Sequence, residues 1–495
     1  MAIKIEPFVC ILRYKNINKM NTEFLTLPSL PSGPSLPSGP SGPSGPVGSD
    51  QLVRCAIRIR APIDVNRTST HFVLLLDISE SMVDGNKLEY VKKCCHLVVD
   101  LLNEQDNLSL ITFGDNASVC LSRVPVTTSN KEHIRSVVSG LRVDGCTNMS
   151  AGLFEVRSVL EGSTQKTGLL ILTDGLINRG ITLPNSIAHI TETLRTDFPH
   201  LSVHTVGYGT DHNADLLRLL AVQSQASYNI VNSLEDTAVA FGDVLGGLMS
   251  CAYQNVSVLM PADAKLYGPY KNIGGAVLLG DVYAGTHPTL LFDMKKSDFD
   301  ATQFRIKWTS CSEFKTSVED GVWTQLQERD KDIDLCFLRY ECSDIMRELS
   351  DSLPSTLLTT GYDSMKLRIQ KLEDSLADSF LADNPLTTLL LSEIPILRTM
   401  FSNIIHNRQT HGSATVLTQH SACLGLGRGF SSPMPRTIGR NMDPVNYTNN
   451  PSGVSTVSPS GVIPSGVIPS GEPILFQNTL QRSITGGLRS ATQTI

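Results

Sequence analysis

A chain of 495 residues exceeds what one hydrophobic core sustains, so two to four folding units are expected. Its 41% hydrophobic and 18% charged residues exclude a wholly disordered chain. A net charge of −7 without long basic runs gives no electrostatic case for nucleic acid.

At the N-terminus, Lys4 and Glu6 interrupt the apolar core that a secretion leader would need. No stretch offers about 18 uninterrupted apolar residues, so no membrane span is expected. Eleven cysteines, an odd number at irregular spacings, fit free thiols better than a disulfide framework. The sequon at Asn107 falls in a predicted buried strand and that at Asn148 in a predicted site loop, where a glycan would damage either. An intracellular, cytoplasmic setting is the resulting expectation.

Two Pro/Ser/Gly tracts, residues 28–48 and 451–473, read as solvated, semi-extended linkers. The Gly-Pro-Ser triplets of the first are too few for a collagen helix, and Leu36 stands where a glycine is required. The expected division is an N-terminal segment with linker (1–50), a flanking strand (51–70), an α/β domain (71–250), a β-rich domain (251–312), a mostly helical region (331–430) and a low-complexity tail (431–495).

Residues 53–60 alternate strictly, with Val53, Cys55, Ile57 and Ile59 on one face of a half-buried strand. HFVLLLDIS, from His71, is a continuous apolar run suited to a central parallel strand. In the segment that follows, Leu88, Val91, Cys95, Val98 and Leu102 form a helical stripe. Cys94-Cys95 is therefore expected to pack in a core. DNLSLITFGD and ASVCLSRVPV are predicted strands, the second an antiparallel edge, and KEHIRSVVSGL a helix. After a loop through Asp144 a helix covers 148–161, then the buried strand TGLLILTDG and a helix near 185–195. Strands LSVHTVGYG and ASYNIV alternate with helices NADLLRLLAVQ and LEDTAVAFGDVLGGLMS. This alternation predicts a doubly wound, Rossmann-like parallel sheet with helices on both faces.

Beyond residue 250, AYQNVSVLM, AVLLGDVYAG, HPTLLFDMK and TQFRIKWTS predict a small antiparallel β unit. Since strands flank the α/β domain on both sides, that domain is expected to be inserted in one β unit, with residues 53–60 beside the later strands. From 332 to 407 the period is helical: Ile369, Leu372, Leu376 and Phe380 share a stripe, and Asn384-Pro385 opens a further helix that Pro395 should kink or divide. The stripe spans under two heptads, so helix packing within the chain is the expectation, with self-association as an alternative.

Three separated pieces carry the chemistry. Asp77-Ile78-Ser79-Glu80-Ser81 lies at the carboxyl end of the first buried strand, Asp144 to Met149 in a loop entering a helix, and Thr173-Asp174-Gly175 at the end of another buried strand. Ligands of open α/β sheets bind outside the carboxyl ends of the strands, where all three fall. Alternation in Asp-x-Ser-x-Ser turns Asp77, Ser79 and Ser81 towards one point, while Gly145 and Gly175 permit sharp backbone bends. Two carboxylates and three hydroxyls are hard oxygen donors, suited to Mg²⁺ or Mn²⁺. A Ser or Thr after a strand also caps helices, so the assignment rests on the three pieces together.

The stretch 71–250 resembles a von Willebrand factor A domain, and the pieces resemble its metal-ion-dependent adhesion site. The resemblance implies that Ser79, Ser81 and Thr147 bind the metal directly, and that Asp77 and Asp174 act mainly through waters. It further implies that a carboxylate of a protein partner fills the open coordination position, and that the last helix shifts along its axis as the site closes. The regions beyond are weakly similar to those of intracellular von Willebrand A proteins associated with intein-like or ubiquitin-ligase modules. No RING-type Cys/His spacing accompanies them. A non-enzymatic, metal-dependent scaffold is the expectation, with a substrate-recruiting component of a larger enzyme assembly or a metal-assisted hydrolase as alternatives. His406, His411 and His420 are spaced like solvated histidines, and GLGRG at 425–429 lacks the lysine of a phosphate-binding loop.

Overall fold

The computed structural model describes residues 21–26, 52–63, 65, 67–174, 176–209, 212–231, 233–311, 315–326, 328–351, 359–405, 418 and 421. Strands β1 (Asn21–Thr26) and β2 (Leu52–Arg60) pair antiparallel. The α/β domain runs β3 (Thr70–Asp77), α1 (Lys87–Leu101), β4 (Asn107–Phe113), β5 (Ala117–Pro125), α2 (Thr128–Gly140), α3 (Met149–Leu160), β6 (Lys166–Thr173) and α4 (Pro184–Asp197). It ends with β7 (Leu201–Tyr208), α5 (Ala214–Gln223), β8 (Tyr228–Val231) and α6 (Leu234–Met249).

The β unit continues with β9 (Cys251–Leu259), β10 (Lys265–Leu266), β11 (Asn272–Ile273), β12 (Ala276–Tyr283) and β13 (Thr289–Lys295). A short helix, α7 (Lys296–Ala301), precedes β14 (Arg305–Ser310), β15 (Thr316–Asp320) and β16 (Trp323–Gln325). Three longer helices follow: α8 (Lys331–Asp351), α9 (Thr359–Leu376) and α10 (Pro385–Ile405).

The α/β sheet has the order β5-β4-β3-β6-β7-β8, with β5 its one antiparallel member. Apolar side chains on both faces of β3 explain its central place. Phe72, Leu74 and Leu76 pack with Val91, Val98, Phe241 and Leu245 of α1 and α6, while Val73 and Leu75 meet Leu153 and Val156 of α3 on the other face. Each such side chain taken fully out of water contributes about 1.5–3 kcal/mol. The chain leaves β3 for β4 on one side and later returns to β6 on the other, so the topology switches direction beside β3. Cys94 and Cys95 are core residues, and burial pushes the Cys95 thiol up to about 12.

The β unit is larger than its sequence pattern implied. Its sheets run β10-β13-β2-β1-β16 and β11-β12-β9-β14-β15, enclosing a core with Ile57, Val258, Phe292 and Trp308. Strand β1 falls in the N-terminal segment ahead of the 28–48 linker, where no strand was expected, and β15 and β16 lie beyond the expected boundary at 312. One pair, β1 with β16, is parallel. As the alternating pattern anticipates, β2 joins the later strands: Cys55 lies opposite Phe292 of β13. The α/β domain is thus inserted in the β unit. Adjacent amides hold its two connections, Ala284 N donating to Ser250 O and Gly285 N to Pro62 O, both at 2.8 Å. A buried ion pair, Lys166 of β6 with Asp281 of β12, ties the two units together.

Helix α8 joins the β unit to the helical layer. Ile333, Cys336 and Tyr340 enter the β core, and the Tyr340 hydroxyl donates to Thr289 O at 2.6 Å. Its other face packs with α9 and α10 through Leu335, Ile345 and Leu349. Ile369, Leu372 and Leu376 are buried there, whereas Phe380 is partly exposed under Arg329 and Lys331. Pro395 does not divide α10, which runs through it. This helix is long and apolar enough to cross a membrane by length and composition, but its stripe Leu390, Ile394, Leu397 and Ile404 packs against the neighbouring helices. His406, His411, His420 and the run 425–429 lie outside the described residues.

Candidate functional site

Asp77 ends β3 and Thr173 ends β6, and Leu76 of β3 registers with Leu172 of β6, so the last residues of the two strands meet at the topological switch. Asp77 is wholly buried. One carboxylate oxygen accepts the Ser79 amide at 2.9 Å and the other the Thr173 hydroxyl. Burial raises its pKa to about 6, an effect partly offset by those hydrogen bonds and reinforced by the nearby Asp174 carboxylate.

The turn Glu80–Asn86 follows, anchored by the buried Met82. Ser79 Oγ lies 3.2 Å from Ser81 Oγ, and Ser81 Oγ donates to Asp174 Oδ1 at 2.7 Å. Asp174 has a fully buried side chain whose other oxygen accepts from Lys87 Nζ. Asp77, Ser79, Ser81 and Asp174 are therefore joined by hydrogen bonds at the strand ends, Asp77 to Ser79 through the Ser79 amide and the rest through side-chain oxygens.

Thr147 reaches this group through its loop. Asp144 N donates to Ile78 O at 2.6 Å and Glu80 N to Gly145 O at 3.0 Å, binding the second piece to the first. Gly145 takes φ +59°, as its place in the bend required, and a Cβ there would stand 2.4 Å from Asp115 Cγ. The buried Thr147 donates its amide to Asn178 Oδ1 at 2.8 Å. Its hydroxyl hydrogen-bonds to none of the other four among the described residues. Asn148 caps α3 by accepting the Ala151 amide at 3.2 Å, so the helix start fixes the threonine beside it. Gly175 lies outside the described residues.

Three participants were not singled out from the sequence. Lys87 reads there as the first residue of an amphipathic helix, yet Gly85 (φ +61°) and Asn86 (φ +59°) turn it back over Ser81 and Asp174. The Asp84-Gly85-Asn86 turn residues were its one signal. Asp115 accepts the Cys146 amide at 2.9 Å and pairs with Arg179 at 2.8 Å, bracing the Thr147 loop. Asn178 lies in a loop with no pattern to mark it.

The donor set suits a hard divalent cation. Two buried carboxylates and the Ser79 and Ser81 hydroxyls are linked by hydrogen bonds, with the Thr147 loop tied to the same segment, and oxygen ligands are what Mg²⁺ and Mn²⁺ prefer. Among the described residues no group of three or more His, Cys, Asp or Glu side chains is placed to hold a metal ion.

A doubly wound sheet with carboxylates and hydroxyls at its switch point defines an α/β domain, and comparison with known proteins shows which domain it resembles. Residues 72–176 match the sequence profile of the von Willebrand factor type A domain, and the chain carries such a domain. The uncharacterised protein YfbK of Escherichia coli (strain K12) is 25% identical over 244 residues, 46% of this chain and 42% of that one. E3 ubiquitin-protein ligase WAV3 of Arabidopsis thaliana is 24% identical over 254 residues, 48% of this chain and 31% of that one. The chain thus spans less than half the length of these curated relatives. Among solved structures, von Willebrand factor type A from Catenulispora acidiphila superposes with a TM-score of 0.53 at 14% identity, covering 70% of this chain and 85% of that one. That breadth exceeds the α/β domain, so the shared fold includes part of the flanking units.

Proposed function

We propose that this chain is a non-enzymatic binding module that recognises a carboxylate of a protein partner through a divalent cation, Mg²⁺ or Mn²⁺. Ser79, Ser81 and Thr147 would hold the ion directly, with Asp77 and Asp174 acting through waters. When bound, the ion supplies concentrated positive charge and an open coordination position for an acidic side chain. The observation that carries this reading is the hydrogen-bonded series Asp77–Ser79–Ser81–Asp174 at the strand ends. The residues themselves orient the site: the Thr173 hydroxyl and Ser79 amide fix Asp77, and Asp115 and Asn178 fix the Thr147 loop. The exposed Val83 and Leu176, two residues beyond Ser81 and Asp174, supply apolar surface beside it. The intracellular setting belongs to the same proposal.

A second reading, a substrate-recruiting part of a larger enzyme assembly, draws support from the similarity to WAV3, a ubiquitin ligase. It uses the same site and changes only what the captured partner meets. The test is affinity capture from lysate in Mg²⁺ or in EDTA, comparing the natural chain with Asp77→Ala and Ser79→Ala. Capture of a defined partner set lost with EDTA and with both substitutions is expected. A set indifferent to all three overturns the proposal.

A further inference from the structure

We propose that Lys87 is a built-in cation of the site: it neutralises Asp174 when no metal is bound and competes with the ion that enters. The inference rests on the metal-binding reading above and adds what sets the affinity of that site.

Each carboxylate oxygen at the strand ends has a donor within the chain. Asp77 receives the Ser79 amide and the Thr173 hydroxyl; Asp174 receives the Ser81 hydroxyl and the Lys87 ammonium. The cluster is therefore satisfied by the chain itself. Two of these four donors come from one short segment, residues 81–87, and the ammonium is its charged member.

Backbone conformation shows that the lysine is placed and not merely nearby. Successive left-handed residues, Gly85 and Asn86, reverse the chain immediately before α1. Asn86 adopts this conformation at a cost that glycine avoids. The reversal sets Lys87 over the loop it has just left, where Nζ reaches Ser81 O at 3.4 Å as well as Asp174. Three-quarters of its side chain is covered, and the carboxylate it meets is fully buried. Arg179, beside the Thr147 loop, pairs with Asp115.

For Ser81 Oγ to serve a metal, its proton must turn away from Asp174, and the ammonium must share or release that carboxylate. A divalent cation and an ammonium drawing on one buried carboxylate repel each other where little water screens them. Lys87 therefore lowers metal affinity while preserving the loop in the metal-free state. The result is a site that stays folded when empty and takes up its ion reversibly.

The test uses the full chain stripped with EDTA, titrated calorimetrically with Mn²⁺ alone, together with thermal melting in EDTA. Natural protein, Lys87→Met and Lys87→Arg are compared, with Lys87→Gln in place of the methionine variant if that one fails to fold. Lys87→Met should bind Mn²⁺ about tenfold more tightly, a difference of about 1.4 kcal/mol, and melt at a lower temperature in EDTA. Lys87→Arg, which retains the charge, should stay within about threefold of the natural affinity. Unchanged or weaker Mn²⁺ binding by Lys87→Met, with natural binding intact, overturns this inference and leaves the metal reading standing. If none of the proteins binds Mn²⁺, both are overturned.

Discussion

Replacing Lys166 by Met tests how the inserted domain is held. The Lys166 side chain is fully buried and Asp281 is 8% exposed, while Asp281 Oδ1 also accepts the Asn255 amide at 3.2 Å. Burial, the largest single influence, disfavours the ammonium, but the Asp281 carboxylate together with the neighbouring Cys251, Cys311 and Tyr283 side chains outweighs it, so the lysine pKa is raised above its ordinary value. Methionine keeps most of the apolar stem, so the loss is mainly electrostatic. Removing one partner of a buried pair costs about 3–5 kcal/mol, because the other charge stays in a medium that solvates it poorly. Equilibrium urea unfolding of Lys166→Met should show that loss. With the tie gone, the α/β domain and the β unit should also separate into two transitions. Adding Asp281→Asn, which removes the remaining buried negative charge and keeps an acceptor for Asn255, should recover at least half the loss. A cost below about 1 kcal/mol, the range of a solvated surface pair, or a double variant as unstable as the single one, would refute the reasoning.

Three further predictions concern the site and its strand. Asp77 has a folded-state pKa of about 6, above the ordinary 3.8, so the folded protein keeps a proton that the unfolded chain releases between these values. Metal-free stability from this group therefore falls as pH rises from 4 to 6, and Asp77→Asn should gain about 3 kcal/mol in EDTA at pH 7.5 but little at pH 4. Denaturation at both pH values checks it; an equal effect at the two would count against the assignment. His71 behaves oppositely: burial, with Arg123 nearby, lowers it to about 4, and Nε2 lies 2.8 Å from Ser109 Oγ. Its contribution is present above pH 6.5 and is lost as pH falls to 4, by about 3 kcal/mol, so His71→Gln should flatten that acid limb. Gly114→Ala would set a Cβ 2.0 Å from Asp144 O, a backbone atom that cannot swing aside. It should cost about 1–3 kcal/mol and abolish Mg²⁺-dependent capture by moving the Thr147 loop; melting temperature and capture together measure this.

The legible parts of this fold are those in which a residue's neighbours along the chain decide its state. HFVLLLD and TGLLILT are apolar on both faces, and only the middle of a parallel sheet accepts that, so β3, β6 and the strand ends bearing Asp77 and Asp174 were readable. Strand β1 was not. Its sequence NTEFLT buries only Phe24, Leu25 and Thr26 among the residues with described exposure, and its partners are residues 55–60 and 323–325. A strand so short has no period of its own to detect. The same contrast holds within the site. Asp-x-Ser-x-Ser is a local pattern, whereas the placements of Lys87, Asp115 and Asn178 arise from reversals and loops brought together by tertiary structure.

The adjacent amides of Ala284 and Gly285, which hold Ser250 and Pro62, also bear on the order of assembly. Arg54 of β2 and its partner Asp293 of β13 are 239 positions apart. Closing a flexible loop of that length costs about 5 kcal/mol in chain entropy before any strand pairing repays it. An insert that folds first, on its own more local contacts, delivers its two ends side by side and removes most of that cost. The β unit then forms around a loop already closed, and a lesion in the α/β core should slow the appearance of β2–β13 pairing in refolding even though it touches neither strand.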